Sequence, residues 1–173
     1  MGVAIERLVG PLNAADVDAL ARVLLDAIAG NASIGFPADT PLGEAQSFWK
    51  GIEADMAARR AVVLGVRLEG KLIATGQLRF SSFPNSRHRA EVAKLLVHSS
   101  VRRQGMATNL MAGLEAAARE ARRTLLILDT EAGSGAERMY EKLGWTKAGV
   151  IPDFAYRPDG RLRPSAFFYK ALV

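Results

Sequence analysis

The chain has 173 residues, 49% of them hydrophobic and 24% charged, the balance of one compact domain with one core. Its 23 Lys+Arg against 18 Asp+Glu leave a formal charge of +5, which favours polyanionic partners, but the basic residues are dispersed apart from Arg87–Arg89, Arg102–Arg103 and Arg122–Arg123, so a nucleic-acid arm is disfavoured. The absence of cysteine excludes disulfides, thiolate metal sites and a cysteine nucleophile. With no leader-like N-terminus, no membrane-length apolar run and Glu6 where a myristoylation signal needs Ser or Thr, the expected compartment is the cytoplasm, with no membrane partner.

Val3–Val9 reads as a short strand, after which Val17, Leu20, Ala21, Leu24 and Ile28 recur at helical spacing up to Gly30-Asn31. Beyond the irregular Ala32–Thr40, Pro41 suits a first helical position, and Ala45, Phe48, Trp49, Ile52 and Met56 mark one apolar helix face. Ala61–Leu68 and Lys71–Phe80 are apolar, β-branched runs separated only by Glu69-Gly70, the spacing of an antiparallel hairpin. A polar stretch with Pro84 and Asn85 leads into a strand over Glu91–His98. Met106, Ala107, Leu110, Met111, Leu114, Ala118 and Ala121 then form a helical stripe, and the apolar Thr124–Thr130 follows, a β-α-β unit whose strands should be parallel. Ala136–Leu143 reads as a helix stopped by Gly144, and Trp145–Ile151 and Ser165–Leu172 as closing strands around Pro158-Asp159-Gly160. No internal repeat is visible.

The segment Arg102-Arg103-Gln104-Gly105-Met106-Ala107 falls between a strand and the start of a helix. Unpaired backbone N–H groups and the positive end of the helix dipole suit a bulky anion such as a pyrophosphate there, and Gly105 and the small Ala107 let the backbone approach it. With one glycine and no Gly-Lys-Ser/Thr, the loop is neither a P-loop nor a dinucleotide fingerprint; taken alone, it reads equally well as a basic turn capping a helix.

Arg102-x-x-Gly105-x-Ala107 after Leu95-Leu96-Val97 resembles the cofactor motif of the GNAT N-acetyltransferase superfamily, Arg/Gln-x-x-Gly-x-Gly/Ala following a strand. Downstream, Ala136 through Trp145, with Tyr140, Leu143 and Gly144, is similar to that family's helix and its Leu-Gly-aromatic step. Ala32–Asp39, Arg89–Ala107, Leu128–Ser134 and Pro158–Lys170 resemble the tabtoxin resistance acetyltransferases within the superfamily, most distinctively at Asp129-Thr130-Glu131-Ala132-Gly133-Ser134. Two positions depart from the pattern: Ser99 or Ser100 stands where proline is common, and Ala107 replaces the final glycine. Pattern and resemblance together imply a mixed α/β (α+β) fold spanning the whole chain: a GNAT-type, mostly antiparallel central sheet of about six or seven strands, helices on both faces and a splayed parallel pair at the cofactor cleft.

The implied activity is direct transfer of an acetyl group from acetyl-coenzyme A to the primary amine of a small molecule, amino-acid-like or toxin-like. An alkyl ammonium with a reference pKa of about 10.4 must lose a proton before it attacks, and a leaving thiolate needs one. The resemblance places a glutamate, an aspartate and a tyrosine in those roles at Glu91, Asp129 and Tyr140. Apolar neighbours suggest that both carboxylates are partly desolvated, which would raise their proton affinity. The implied cofactor contacts are Leu95, Leu96, Val97, Arg102, Arg103, Gln104, Gly105, Met106, Ala107, Thr108, Ser134 and Lys142, with the Val97 N–H on the thioester oxygen. Phe36, Asp39 and Glu131 are placed on the acceptor side; no metal site is apparent.

Plainer readings stand beside these. Glu91 also reads as an edge-strand partner of Arg89 or Lys94, Asp129 as a turn former, Tyr140 as a core aromatic and Phe36 as a core anchor. His88 and His98 read as surface or rim residues. A protein N-terminus or lysine as acceptor, and a non-catalytic acyl-cofactor sensor, are the rival functions, and a homodimer that closes the cleft is compatible with the sequence.

Overall fold

A computed structural model describes residues 4–172, so Val3 of the expected first strand lies outside the described residues. In chain order the elements are β1 (Ile5–Arg7), α1 (Ala14–Ala29), α2 (Leu42–Gly51), α3 (Glu53–Ala57), β2 (Ala61–Leu68), β3 (Lys71–Phe80), β4 (Arg89–Val97), α4 (Met106–Glu120), β5 (Leu125–Glu131), α5 (Gly135–Lys142), β6 (Thr146–Tyr156) and β7 (Leu162–Ala171). Asn13 starts α1 by accepting the Asp16 N–H at 2.9 Å, and the left-handed Asn31 ends it. The expected second helix breaks at Ile52 into α2 and α3, with Pro41 as the residue before the first turn rather than in it.

The sheet runs β1-β2-β3-β4-β5-β7-β6, and β4–β5 is its one parallel pair among the described residues. This is the architecture that pattern and resemblance together imply. Strand β2 shows why the sheet carries helices on both sides: Val62, Leu64 and Val66 pack in the cluster of α4 and α5, whereas Ala61 and Val63 pack in that of α1 and α2. The closing strands run further than the apolar pattern suggested. Most of β6 is exposed, so no alternation of buried side chains announces it.

Strand β4 is where the layers meet the cleft. Its register on β3 passes from Gln77↔Ala93 to Thr75↔Leu96, so Lys94 and Leu95 share the space opposite Gly76. This is a β-bulge, and Lys94 carries its left-handed backbone at φ 49. The extra residue reverses the parity of the strand: Val92 lies in the α4 cluster, but Leu96, four residues on, lies in the α1–α2 cluster. Gly76 leaves room for the crowding, since a Cβ there would stand 2.9 Å from Leu114 Cδ1 and 3.3 Å from Leu95 Cδ1.

Helix α4 is seated by Leu110, Met111, Leu114 and Ala118, none more than 1% exposed. We expect Leu114→Ala to cost about 2–5 kcal/mol of stability in urea denaturation, because the cavity sits between helix and sheet where neither can collapse freely. A loss well below that range would mean that α4 is not held in this way.

Candidate active site

Parallel pairing between β4 and β5 covers only Arg89↔Leu125, Ala90↔Leu126 and Glu91↔Ile127. Beyond it β5 stays with β7 as far as Glu131↔Ser165, while β4 stays with β3 as far as Val97. The diverging strands open a cleft of about 730 Å³, walled by β4, the start of α4, the end of β5 and the start of α5. The His98 N–H donates to Ile73 O at 2.9 Å; by strand alternation the Val97 N–H points the other way, into the gap that β5 leaves.

At the cleft's mouth α4 begins without a cap. Gly105, at φ 80, precedes it with no side-chain hydrogen bond and no acidic residue in the first turn, and the first backbone bond is Asn109 N–H to Gly105 O at 3.0 Å. The N–H groups of Met106, Ala107 and Thr108 are thus left for an anion, whereas α1 and α5 fill theirs with Asn13 and Ser134. The loop ahead of α4 is held from α1: Asp26 accepts the Ser99 N–H at 2.8 Å, the Ser99 hydroxyl at 2.6 Å and Arg102 Nη2 at 3.1 Å. Burial acts against the Asp26 carboxylate, but the Ser99 hydrogen bonds and the nearby His98 and Arg102 hold it below the usual carboxylate range. Arg102 Nε donates to Val97 O at 2.9 Å, so this side chain shapes the loop, while Arg103 stays exposed.

Glu91, Asp129 and Tyr140 all line this one cleft. The anticipated desolvation of the two carboxylates is absent: both are exposed, because strand alternation turns their apolar neighbours to the core and leaves them toward solvent. Ser165 Oγ donates to Asp129 Oδ2 at 3.1 Å. Tyr140 is the buried member, its ring 6.0 Å from both Trp145 and Phe168, and burial, with the Asp129 charge adding to it, pushes its hydroxyl up to about 12. The phenol therefore keeps its proton at neutral pH and can give it up only to a base.

Leu95, Leu96, Val97, Arg102, Arg103, Gly105, Met106, Ala107, Thr108 and Ser134 also line the cleft; Gln104 and Lys142 are exposed and stand outside its lining. Glu131 lines it too, but its carboxylate binds Arg157 through both oxygens and Arg163 Nε at 3.2 Å, which lowers its proton affinity and leaves it positioning the β6–β7 hairpin. On the acceptor side the cleft is lined by Ala32 to Gly35, not by Phe36 or Asp39: Asp39 is exposed, and Phe36 packs edge-on to Phe48 at 5.3 Å, as a core anchor would. This loop is clasped to the β6–β7 turn by Ser33 Oγ on Tyr156 O at 3.1 Å and Asn31 Nδ2 on Asp159 Oδ2 at 2.8 Å. Lys94 also lines the cleft, while Asp26 and Arg157 hold its loop and its Glu131; the sequence names Lys94 only as a partner for Glu91 and does not single out the other two.

A family model described as acetyltransferase (GNAT) family matches residues 33–145, well over half of the chain. The chain belongs to the GNAT acetyltransferase family. Among solved structures, the GNAT protein is similar to an N-acetyltransferase from Staphylococcus aureus Mu50, at TM-score 0.82 and 16% identity over 100% of both chains. It is also similar to a ribosomal-protein-alanine N-acetyltransferase from Brucella melitensis, at TM-score 0.80 and 24% identity over 98% of this chain and 99% of that one. A phosphinothricin acetyltransferase from Sinorhizobium meliloti, solved in complex with AcCoA, matches at TM-score 0.81 and 15% identity over 99% of this chain and 89% of that one.

The cofactor of this GNAT enzyme is acetyl-coenzyme A, and the cleft suits it: three free helix N–H groups and Gly105 for a pyrophosphate, an open gap beside β4 for an extended arm, and the Val97 N–H for a thioester oxygen. A valine in place of Gly105 would take a left-handed φ at a β-branched residue, a strain that the loop leading into the free N–H groups would have to relieve by moving. We expect Gly105→Val to weaken coenzyme A binding by at least about tenfold in calorimetric titration. Unchanged affinity would place the pyrophosphate elsewhere.

Proposed function

We propose that this GNAT enzyme, working as one domain, acetylates the primary amine of a small molecule by direct transfer. The observation that carries the reading is the convergence of Glu91, Asp129 and Tyr140 on the gap where β4 and β5 part, next to an uncapped helix start. Acetyl-coenzyme A, when bound, supplies the acetyl thioester. Glu91 and Asp129, exposed on the cleft wall, attract the cationic amine and take its proton directly or through water. Tyr140 holds a proton for the departing sulfur, and its packing against Trp145 and Phe168 fixes where that proton is delivered.

A small acceptor is favoured by the clasp from Asn31 and Ser33 to the β6–β7 turn, which bounds the acceptor side. The run Asp129–Ser134 and its resemblance to the tabtoxin resistance acetyltransferases support an amino-acid-like or toxin-like amine.

The test is thiol release from acetyl-coenzyme A across a panel of free amines. We expect turnover with at least one amine, and a fall in kcat of about 10²–10⁴ in Tyr140→Phe and in Glu91→Gln with coenzyme A affinity unchanged. Absence of thiol release with every amine of the panel would sink the proposal.

A further inference from the structure

Lys94 is a cation whose surroundings do not account for it. It occupies the bulge of β4 and is one of the residues that line the cleft. Its amine stands 5.9 Å from the Phe36 ring centroid and 5.6 Å from that of Phe48, so two aromatic rings back it. Among the described residues it takes part in no ion pair or hydrogen bond, whereas Arg157 and Arg163 share Glu131, and Lys170 binds Glu115 at 2.7 Å. Burial, helped by repulsion from Arg79, holds the Lys94 amine below the usual lysine range despite the opposing pull of Asp129 and Glu91. A largely buried ammonium without an ion pair costs stability, and so does a left-handed lysine; such costs persist at sites that bind something.

Its position says what the missing counter-ion belongs to. The phosphate cradle lies beyond Val97, at the start of α4, whereas Lys94 is three residues from Glu91 and within the electrostatic reach of Asp129. A cation thus faces the same space as the two carboxylates assigned to the reacting amine. The complement of that pattern is one small molecule bearing both charges.

We infer that Lys94 is an acceptor-binding residue, recognising a carboxylate carried on the same small molecule as the reacting amine, so that the acceptor class is free amino acids and their close analogues. The inference rests on the proposed acetyl transfer and narrows its acceptor. The bulge is what makes it feasible: without the extra residue, the alternation of β4 would not bring Lys94 over Phe36 and Phe48 while keeping Val97 beside the gap. A peptide N-terminus, whose own carboxyl is an amide, and a polyamine both lack the group that Lys94 would bind.

The experiment uses matched probes that differ only in the carboxylate: phenylalanine with phenethylamine, lysine with cadaverine, methionine with 3-methylthiopropylamine. Thiol release is followed for the wild type, Lys94→Met and Lys94→Gln, the second serving if the first misfolds, and for Lys94→Arg as the charge-conserving control. We expect the wild type to prefer the amino acid in at least one pair. Both neutral variants should then lose about tenfold or more in kcat/KM for that amino acid, mainly through KM, but no more than about twofold for its amine, with partial recovery in Lys94→Arg. Equal losses for both members of every pair, or a wild type that prefers the amine throughout, would overturn the assignment. Should no probe turn over, acetyl transfer to small amines is the reading that fails, and calorimetric titration of the same amino acids into the coenzyme A complex decides on Lys94. Binding that needs the carboxylate and is lost in Lys94→Met upholds it, and binding indifferent to either, or none, refutes it.

Discussion

Strand β4 hydrogen-bonds β3 along nearly its whole length but β5 only as far as Glu91, and the cleft is the space left by that unequal pairing. Backbone N–H and C=O groups rarely stay unpaired without a partner in waiting. Here the bulge at Lys94 changes which side chains β4 shows to each layer, and the parting of β5 exposes main-chain groups of the same strand. Both effects fall within a few residues, so Glu91, the Val97 N–H and the aromatic-backed cation are all placed by one short stretch of backbone.

The electrostatics of the cleft divide along the same line. On the cofactor side, Arg102 and Asp26 are tied to each other and to the loop, so they set its shape, and the free donors are main-chain N–H groups and the exposed Arg103. On the acceptor side, Glu131 is fully engaged with Arg157 and Arg163, which leaves Glu91, Asp129 and Lys94 as the charged groups with capacity for a ligand. Tyr140 stands apart as a neutral, buried donor. Charged residues are thus sorted into those that build the walls and those that face the contents.

What the sequence discloses is what is local. The Glu69-Gly70 hairpin, the stripe of α4 and the β-α-β unit around Gly105 rest on periodicity and turn chemistry within short windows, and they stand. The bulge leaves no such trace, since one inserted residue in an apolar run changes parity without changing composition; the lone polar Lys94 amid Val92, Ala93, Leu95 and Leu96 is its only mark. Pairings such as Asp26 with Ser99, 73 positions apart, and Asn31 with Asp159, 128 apart, depend on the assembled sheet. The same limit explains Glu131, whose acidic character was legible but whose two arginine partners lie 26 and 32 residues away. Apolar neighbours of Glu91 and Asp129 in the sequence suggest burial, but alternation turns those neighbours away from the carboxylates.

The insertion of β7 between β5 and β6 has a kinetic consequence. Until β7 has been synthesised, β5 has a neighbour along only three of its residues, and Phe168 is missing from the packing around Tyr140. The clasp of Asn31 on Asp159 joins segments that closing a loop of more than a hundred residues must bring together, an entropic cost met only once most of the sheet exists. Maturation of the cleft is therefore ordered in time: the wall that confronts the acceptor comes last.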